Sequence, residues 1–166
     1  MNVKRILFPT DFSELSKAAE KCACDLADQF GAELHVLHVL SDFFLMMPQT
    51  AAAVMVPPKV LEDVINSAEE EIQKIPPTAW ASGKPVVRVV QIGSTYDAIV
   101  QYAKEHAIGL IVIGTHGRTG LPHVLLGSVA ERVVQHAPCS VLTVRPDRAV
   151  INVTQSVLQQ PVLKTV

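Results

Sequence analysis

The sequence predicts an α/β fold: a doubly wound, five-stranded parallel sheet with helices on both faces. The first observation is that apolar segments of strand length alternate with longer segments of helical period along most of the 166 residues. The second is that these strands are apolar at consecutive positions, which is typical of strands buried on both faces. Such alternation specifies a parallel sheet that is covered by helices on each side.

Five segments rich in Val, Ile or Leu are predicted to be the strands. They are residues 3–9, 32–40, 85–92, 109–114 and 139–145. Between the first two, apolar residues recur at helical spacing from Leu15 to Phe30, and Gly31 follows as a C-cap. The chain therefore begins with a strand, a helix and a second strand.

Three further helices complete the predicted pattern. One lies near 57–75 and has an acidic, solvated face. Another begins at Ser94, where STYD is a capping box, and the last begins at Ser128, where SVAE is a second box. The residues of the last helix predicted to point inward are Val129, Val133 and Val134.

Composition favours a compact domain and argues against nucleic acid and an anionic membrane as partners. Hydrophobic residues make up 49% and charged residues 18%, with a net charge of −2, so no strong field attracts nucleic acid or an anionic membrane. No stretch reaches the roughly 18 apolar residues of a membrane span. The N-terminal apolar run stops at Phe8, too early for a signal-peptide core. Three cysteines are a poor disulfide framework, and we expect a cytoplasmic chain.

Two segments lie outside the alternating pattern. Residues 43–58 form a long apolar connection with several prolines, for which a lid, a partner surface and a loop packed on its own domain all stay open. Residues 147–166 lack a clear period and form a C-terminal tail, either disordered or docked on a partner chain. Residues 1–146 are the predicted domain.

The stretch GTHGRTGLPHVLLGS, residues 114–128, carries glycines where the fourth strand ends and the last helix begins. Glycine permits positive φ and lets a ligand approach the backbone amides. A helix N-terminus at Ser128 would present unpaired N–H groups and the positive end of its dipole, so loop and helix could hold a polyphosphate. The alternatives are a tight turn for the first two glycines, Gly114 and Gly117, and a plain helix cap for Ser128. Neither G-x-G-x-x-G after the first strand nor a Walker loop occurs.

The spacing G-x-x-G, nine residues, then G-[ST] resembles the ATP-binding signature of the universal stress proteins. Here it is formed by Gly114, Gly117, Gly127 and Ser128. The stretch ILFPTDFS resembles the opening strand and loop of the same family, and the resemblance covers residues 2 to 146. It implies a Rossmann-like fold of the adenine nucleotide alpha hydrolase type. It also implies a cytoplasmic homodimer joined through the last strand, at about 139–145.

The resemblance further implies roles for single residues. Asp11 matches the acid that faces the ribose, although it could instead act as an N-cap near Ser13. The loop beside the adenine matches Pro9 and Thr10. The apolar walls of the base pocket match Val39, Ile113 and Val129. The phosphate cradle matches Gly114, Gly117, Gly127 and Ser128. Further donors around the cradle are His116, Arg118 and His123, of which Arg118 could pair a terminal phosphate.

We therefore expect a dimeric stress-response regulatory protein that binds ATP or another adenine nucleotide and acts on an unidentified protein target. Mg²⁺ could be held through the phosphates, because it needs few protein ligands. One alternative is a slow ATPase or a nucleotidyl or phosphoryl transfer enzyme, and the other is a chaperone-like dimer that needs no nucleotide. Hydrolysis usually requires a metal held by carboxylates. The sequence offers only Asp11 near the cradle, so we expect no catalytic residue and no protein-held metal.

Overall fold

The computed structural model describes residues 3–41, 57–115 and 127–145. In chain order the elements are β1 (Arg5–Thr10), α1 (Lys17–Phe30), β2 (Glu33–Ser41), α2 (Pro58–Gln73), α3 (Thr78–Ala81), β3 (Val86–Gly93), α4 (Thr95–Glu105), β4 (Leu110–Gly114), α5 (Ser128–His136) and β5 (Ser140–Val144). All five predicted strands are present. The short helix α3 was not predicted, because one turn is too short to show a helical period. The tail 147–166, and the connection 43–58 up to residue 56, lie outside the described residues.

The strands form one parallel sheet in the order β3-β2-β1-β4-β5. β1 lies at its centre, where Ile6 pairs with Leu34 of β2 and with Leu110 of β4. The chain moves outward from β1 to β3 and then returns to the other side of β1 to add β4 and β5. The predicted doubly wound fold is thereby confirmed, and the strand order reverses between β1 and β4, where open sheets of this type bind ligands.

Each face of the sheet is buried against its own pair of helices. On one face Ile6, Phe8, Leu34 and Val36 pack against α1 and against Ile72 of α2. On the other face Leu7, Leu37 and Ile111 pack against α4 and α5. Most of these side chains are fully buried, and burying one contributes about 1.5–3 kcal/mol relative to exposure. The sheet is therefore a rigid base for the loops at its ends.

The end of α1 follows the prediction. Gly31 is left-handed, with φ 61° and ψ 35°, and its N–H donates to the carbonyl oxygen of Ala27. Glycine has no Cβ to clash in this conformation, so α1 ends here without strain. The N–H of Ala32 donates to the same oxygen at 2.9 Å.

The two predicted capping boxes are wrong in detail. Ser94 is the N-cap of α4 but makes no side-chain capping hydrogen bond. Its hydroxyl instead bonds the carboxyl of Asp97 and lowers the pKa of that group. The N-cap of α5 is Gly127, so Ser128 is the first helical residue.

The inward face of α5 also differs from the prediction. Val133 and Ala130 are buried, whereas Val134 is 47% exposed and Val129 is half-buried. Helical geometry explains this, since residues three apart share a face and the next residue lies about 100° away. The three valines predicted one inward face, but only the side of α5 that carries Ala130 and Val133 is buried in the core.

All three cysteines are free thiols. Burial raises the pKa of Cys24 to about 12, and it also raises the pKa of Cys22 and Cys139. The reactive form of cysteine is the thiolate. Cys24 is buried, whereas Cys22 and Cys139 are half-buried, and all three are expected to act as small apolar groups. None of the described helices combines the length and the apolar character needed to cross a membrane.

A buried polar cluster joins β2 to α4. His35 is 4% exposed. Its Nδ1 lies 2.8 Å from Tyr102 Oη, and its Nε2 lies 3.2 Å from Glu33 Oε2, which also accepts from Arg5. A carboxylate only accepts, so Nε2 carries the proton and Tyr102 donates to Nδ1. The ring of His106 stacks on Tyr102 with centroids 3.9 Å apart. Burial lowers the pKa of His35, although Glu33 opposes this shift.

This cluster predicts a pH-dependent stability. Because the pKa of His35 is lower in the folded chain, the unfolded chain binds more protons once the pH falls below the ordinary histidine value of about 6.5. The free energy of unfolding should therefore decrease between about pH 7.5 and about pH 5.5. His35→Gln should reduce that decrease, as measured by urea denaturation. His136→Gln, at an exposed position of α5, should keep the wild-type dependence, and equal dependence in all three chains would contradict the assignment.

Candidate functional site

A cavity of about 1020 Å³ lies along the carboxyl edge of the sheet. It is bounded by the ends of β1, β2 and β4, by one side of α2 and by the first turn of α5. It therefore covers the point between β1 and β4 where the strand order reverses. Its volume is at the upper end of the range of about 300–1,000 Å³ that is usual for ligand pockets.

Nine of the twelve residues predicted for the nucleotide site line this cavity. They are Pro9, Thr10, Asp11, Val39, Ile113, Gly114, Gly127, Ser128 and Val129. The other three, His116, Gly117 and Arg118, lie outside the described residues, as does His123. The fold therefore brings together residues from both ends of the domain.

The end of β4 and the beginning of α5 form one wall of the cavity. The N–H of Gly127 donates to the carbonyl oxygen of Thr115 at 2.7 Å, and the N–H of Thr115 donates to that of Val144 at 2.9 Å. These bonds attach the start of α5 to the sheet. Gly127 has a φ of −66°, so glycine is not required here for a left-handed backbone. Gly127 lines the cavity with backbone atoms alone.

The first turn of α5 presents its amides to this wall. By helix geometry the N–H groups of Ser128, Val129 and Ala130 have no partner within the helix, and all three residues line the cavity. The N–H of Glu131 is the first to bond within α5, to the carbonyl oxygen of Gly127 at 2.9 Å. The positive end of the helix dipole therefore points to the cavity and favours an anion there.

Asp11 lies on the turn that follows β1. Its Oδ1 accepts hydrogen bonds from the backbone N–H of Ser13 at 3.0 Å and from the Ser13 hydroxyl at 2.6 Å. Asp11 is not a helix N-cap: Ser13 is the N-cap of a short 3-10 turn at Glu14–Ser16, and Ser16 is the N-cap of α1. The bonds from Ser13 to Asp11 instead form a local turn before that segment. The same side chain lines the cavity, so one carboxylate both holds the turn and faces the open space.

The apolar residues predicted for the base pocket share one face of the sheet. Val39, Ile113 and Val129 all belong to, or pack against, the core beneath α4 and α5. Ile99 of α4, 1% exposed, lines the cavity beside them. This wall is apolar and firmly supported, as a site for a planar ring requires.

The second wall was not predicted from the sequence. It is formed by α2 and the end of β3, where Val60, Val64 and Ile92 are each about half exposed and face the cavity. A spacing of four residues between the two valines is the signal that could have indicated a common apolar face on α2. The acidic residues of that helix had indicated only a solvated face.

Two acidic residues of α2, Asp63 and Glu71, also line the cavity. The cavity therefore has carboxylates besides Asp11, because α2 packs over the sheet edge from a distant part of the sequence. Glu71 forms an ion pair with Lys74. Within residues 3–41, 57–115 and 127–145, no group of three or more His, Cys, Asp or Glu side chains is arranged to hold a metal ion.

Comparisons with known proteins agree with this architecture. The family model described as the universal stress protein family matches residues 2–145. Universal stress protein MJ0531 from Methanocaldococcus jannaschii is 34% identical over 143 residues, which are 86% of this chain and 82% of that protein.

Solved structures show the same fold. The structure of MJ0577, also from M. jannaschii, has a TM-score of 0.73 at 27% identity and covers 87% of this chain and 96% of its own. A universal stress protein solved in complex with cAMP has a TM-score of 0.64 at 21% identity, over 88% of this chain and 99% of its own, which shows the fold alone. Because the family match spans nearly every described element, the chain belongs to the universal stress protein family.

Proposed function

We propose that this chain binds an adenine nucleotide, ATP among them, in the cavity at the carboxyl edge of its sheet. The observation that carries the proposal is the meeting of three kinds of surface around one cavity. These are the carboxylate of Asp11, an apolar wall, and a helix N-terminus flanked by glycine. A nucleotide has three matching parts: a sugar with hydroxyl donors, a planar base and anionic phosphates.

The phosphates are assigned to the α5 end of the cavity. There the N–H groups of the first helical turn, which have no partner within the helix, and the dipole, equivalent to about half a positive charge, favour an anion. Gly127 and Gly114 leave the wall without side chains. The Ser128 hydroxyl adds a donor at the same end, and Arg118, His116 and the Gly117 amide are proposed to complete the cradle.

The sugar and base are assigned to the end formed by β1 and β2. A carboxylate at a strand end accepts hydrogen bonds from ribose hydroxyls in other nucleotide-binding sheets, and Asp11 occupies that position after β1. Val39, Ile113 and Val129 then form the apolar wall for the base, next to Pro9 and Thr10. Bound Mg²⁺ would be held mainly by the phosphates and water.

The protein is proposed to act as a nucleotide-dependent binding module in the stress response, without fast chemistry. Its free thiols suit a reducing compartment, and we propose that it works in the cytoplasm on a protein target. We also propose a homodimer through β5, which pairs with β4 on one side and otherwise forms an edge of the described sheet. Edges of this kind are common sites of strand pairing between chains.

Substitutions at the two ends of the cavity should separate its sugar and phosphate contacts. Asp11→Asn, which keeps an acceptor for Ser13, should weaken adenosine, AMP and ATP alike by about tenfold, since a hydrogen bond to a charged group contributes about 1.5–3 kcal/mol. Ser128→Ala should weaken AMP and ATP by about fivefold and leave adenosine unchanged. Isothermal titration calorimetry measures both, with Ser82→Ala, at an exposed position outside the cavity, as control. Equal losses for all three ligands in both variants would contradict the assignment, and no binding by the wild type would favour a nucleotide-independent dimer.

ATP hydrolysis should be slow. The described residues hold no metal-binding carboxylate cluster, so turnover should fall well below the ~1 s⁻¹ at the low end of typical enzymes. Single-turnover hydrolysis of labelled ATP, with and without Mg²⁺, tests this. Fast hydrolysis that Asp11→Ala or Ser128→Ala abolishes would instead show a phosphoryl-transfer enzyme.

The dimer should depend on β5. A lysine at a strand edge disfavours pairing between chains, so Thr143→Lys should convert a dimer at micromolar concentration into a monomer in sedimentation velocity. Thr78→Lys, at an exposed position in α3, should remain dimeric. A wild-type monomer would contradict the proposed dimer. A Thr143→Lys dimer as stable as the wild type would show that the dimer contact is not at β5.

A further inference from the structure

The turn after β1 contains a residue in an unusual backbone conformation. Phe12 has a φ of 63°, the left-handed region that residues with a Cβ rarely adopt. Such a conformation is strained and persists only where the surrounding structure holds it. Phe12 lies between Asp11 and Ser13, so its backbone conformation determines where the carboxylate of Asp11 lies.

His38 on the neighbouring strand holds this turn in two ways. Its ring stacks on that of Phe12, with centroids 4.0 Å apart and planes 22° apart. Its Nδ1 lies 2.8 Å from the carbonyl oxygen of Thr10, and because a carbonyl only accepts, Nδ1 is the donor. Thr10 and His38 are also partners in the β1–β2 ladder. One side chain therefore fixes both the last carbonyl of β1 and the ring two residues beyond it.

The remaining bonds of the turn connect His38 to Asp11. The N–H of Phe12 donates to Thr10 Oγ1 at 3.1 Å, and the hydroxyl of Ser16 donates to the carbonyl oxygen of Ser13 at 2.7 Å. Ser13 in turn donates twice to Asp11 Oδ1. His38 is 4% exposed and lines the cavity. Thr10 Oγ1 and Ser16 Oγ lie 3.3 Å apart and join these bonds into one network, which His38 connects to β2.

We propose that His38 is a positioning residue for the binding site: by clamping Thr10 and Phe12 it holds the carboxylate of Asp11 where the sugar of the ligand binds. Its effect on ligand binding rests on the proposed nucleotide function. Its effect on the turn does not, and the two can be measured separately. His35 provides a matched comparison, because it is a buried histidine of the same strand that faces the opposite core and does not line the cavity.

Amide hydrogen exchange of the full-length chain, followed by NMR, tests the positioning without a ligand. In His38→Leu the amides of Phe12 and Ser13 should exchange at least about tenfold faster relative to the core amide of Leu7, a change equal to about 1.4 kcal/mol. His35→Leu should leave that ratio unchanged. Phe12→Leu, which removes the ring stack but keeps an apolar side chain, should raise the ratio in the same direction and serves if His38→Leu does not fold. Wild-type ratios in both variants would overturn the proposal.

A double-mutant cycle tests the consequence for binding. His38→Leu alone should weaken adenosine by about tenfold, but in the Asp11→Ala background it should weaken it by less than about twofold, since residues that act through one another are not additive. His38→Asn, which keeps a donor near the Nδ1 position, should bind more tightly than His38→Leu. Fully additive losses would overturn the role through Asp11. If the wild type binds no adenine nucleotide, the proposed function fails, and the exchange ratios still decide whether His38 positions the turn.

Discussion

The parallel pairing of β1 between β2 and β4 is the constraint on which the rest of the structure depends. Parallel strands place their carboxyl ends at the same edge of the sheet. The last residues of β1, β2 and β4 therefore share this edge although they are far apart in sequence; they are Thr10, Ser41 and Gly114. Because β1 is central and buried on both faces, this edge cannot shift without disrupting both cores. The cavity forms at the carboxyl ends of β1 and β4, and the next described α-helices after these strands, α1 and α5, pack on opposite faces of the sheet.

The two histidines of β2 show how one strand serves stability and binding at once. Side chains of a strand alternate between faces, and His35 and His38 are three positions apart, so they lie on opposite faces. His35 is enclosed by Tyr102 and Glu33 in the core beneath α4. His38 faces the turn of β1 at the edge of the cavity. The same substitution is therefore expected to affect the core at His35 and the edge of the cavity at His38.

The site combines a rigid support with a strained loop. Ile99, Ile113 and Ala130 are nearly fully buried beneath one wall, whereas Phe12 on the other side holds a left-handed conformation. Backbone strain of this kind is concentrated at functional sites because the surroundings must maintain it. Here the surroundings are the imidazole of His38 and the hydroxyls of Thr10 and Ser16. The strained residue lies next to Asp11, on the turn that follows the central strand.

From the sequence alone follow the five strands and their parallel arrangement, because apolar runs are local patterns. The prediction of nine residues around the cavity rested largely on the family resemblance that the glycine spacing and the stretch ILFPTDFS carry. Only the tertiary structure decided which residues face one another across the edge. It placed Val60, Val64, Asp63 and Glu71 of α2 on the cavity wall, turned Val134 outward and made Ser128 the first residue of α5 rather than its cap. The physical reason is that burial and contact depend on the packing of elements distant in sequence, which a periodic pattern does not encode. The contacts of His38 were also decided by the tertiary structure, because the sequence does not show which groups of the neighbouring strand and turn its imidazole reaches.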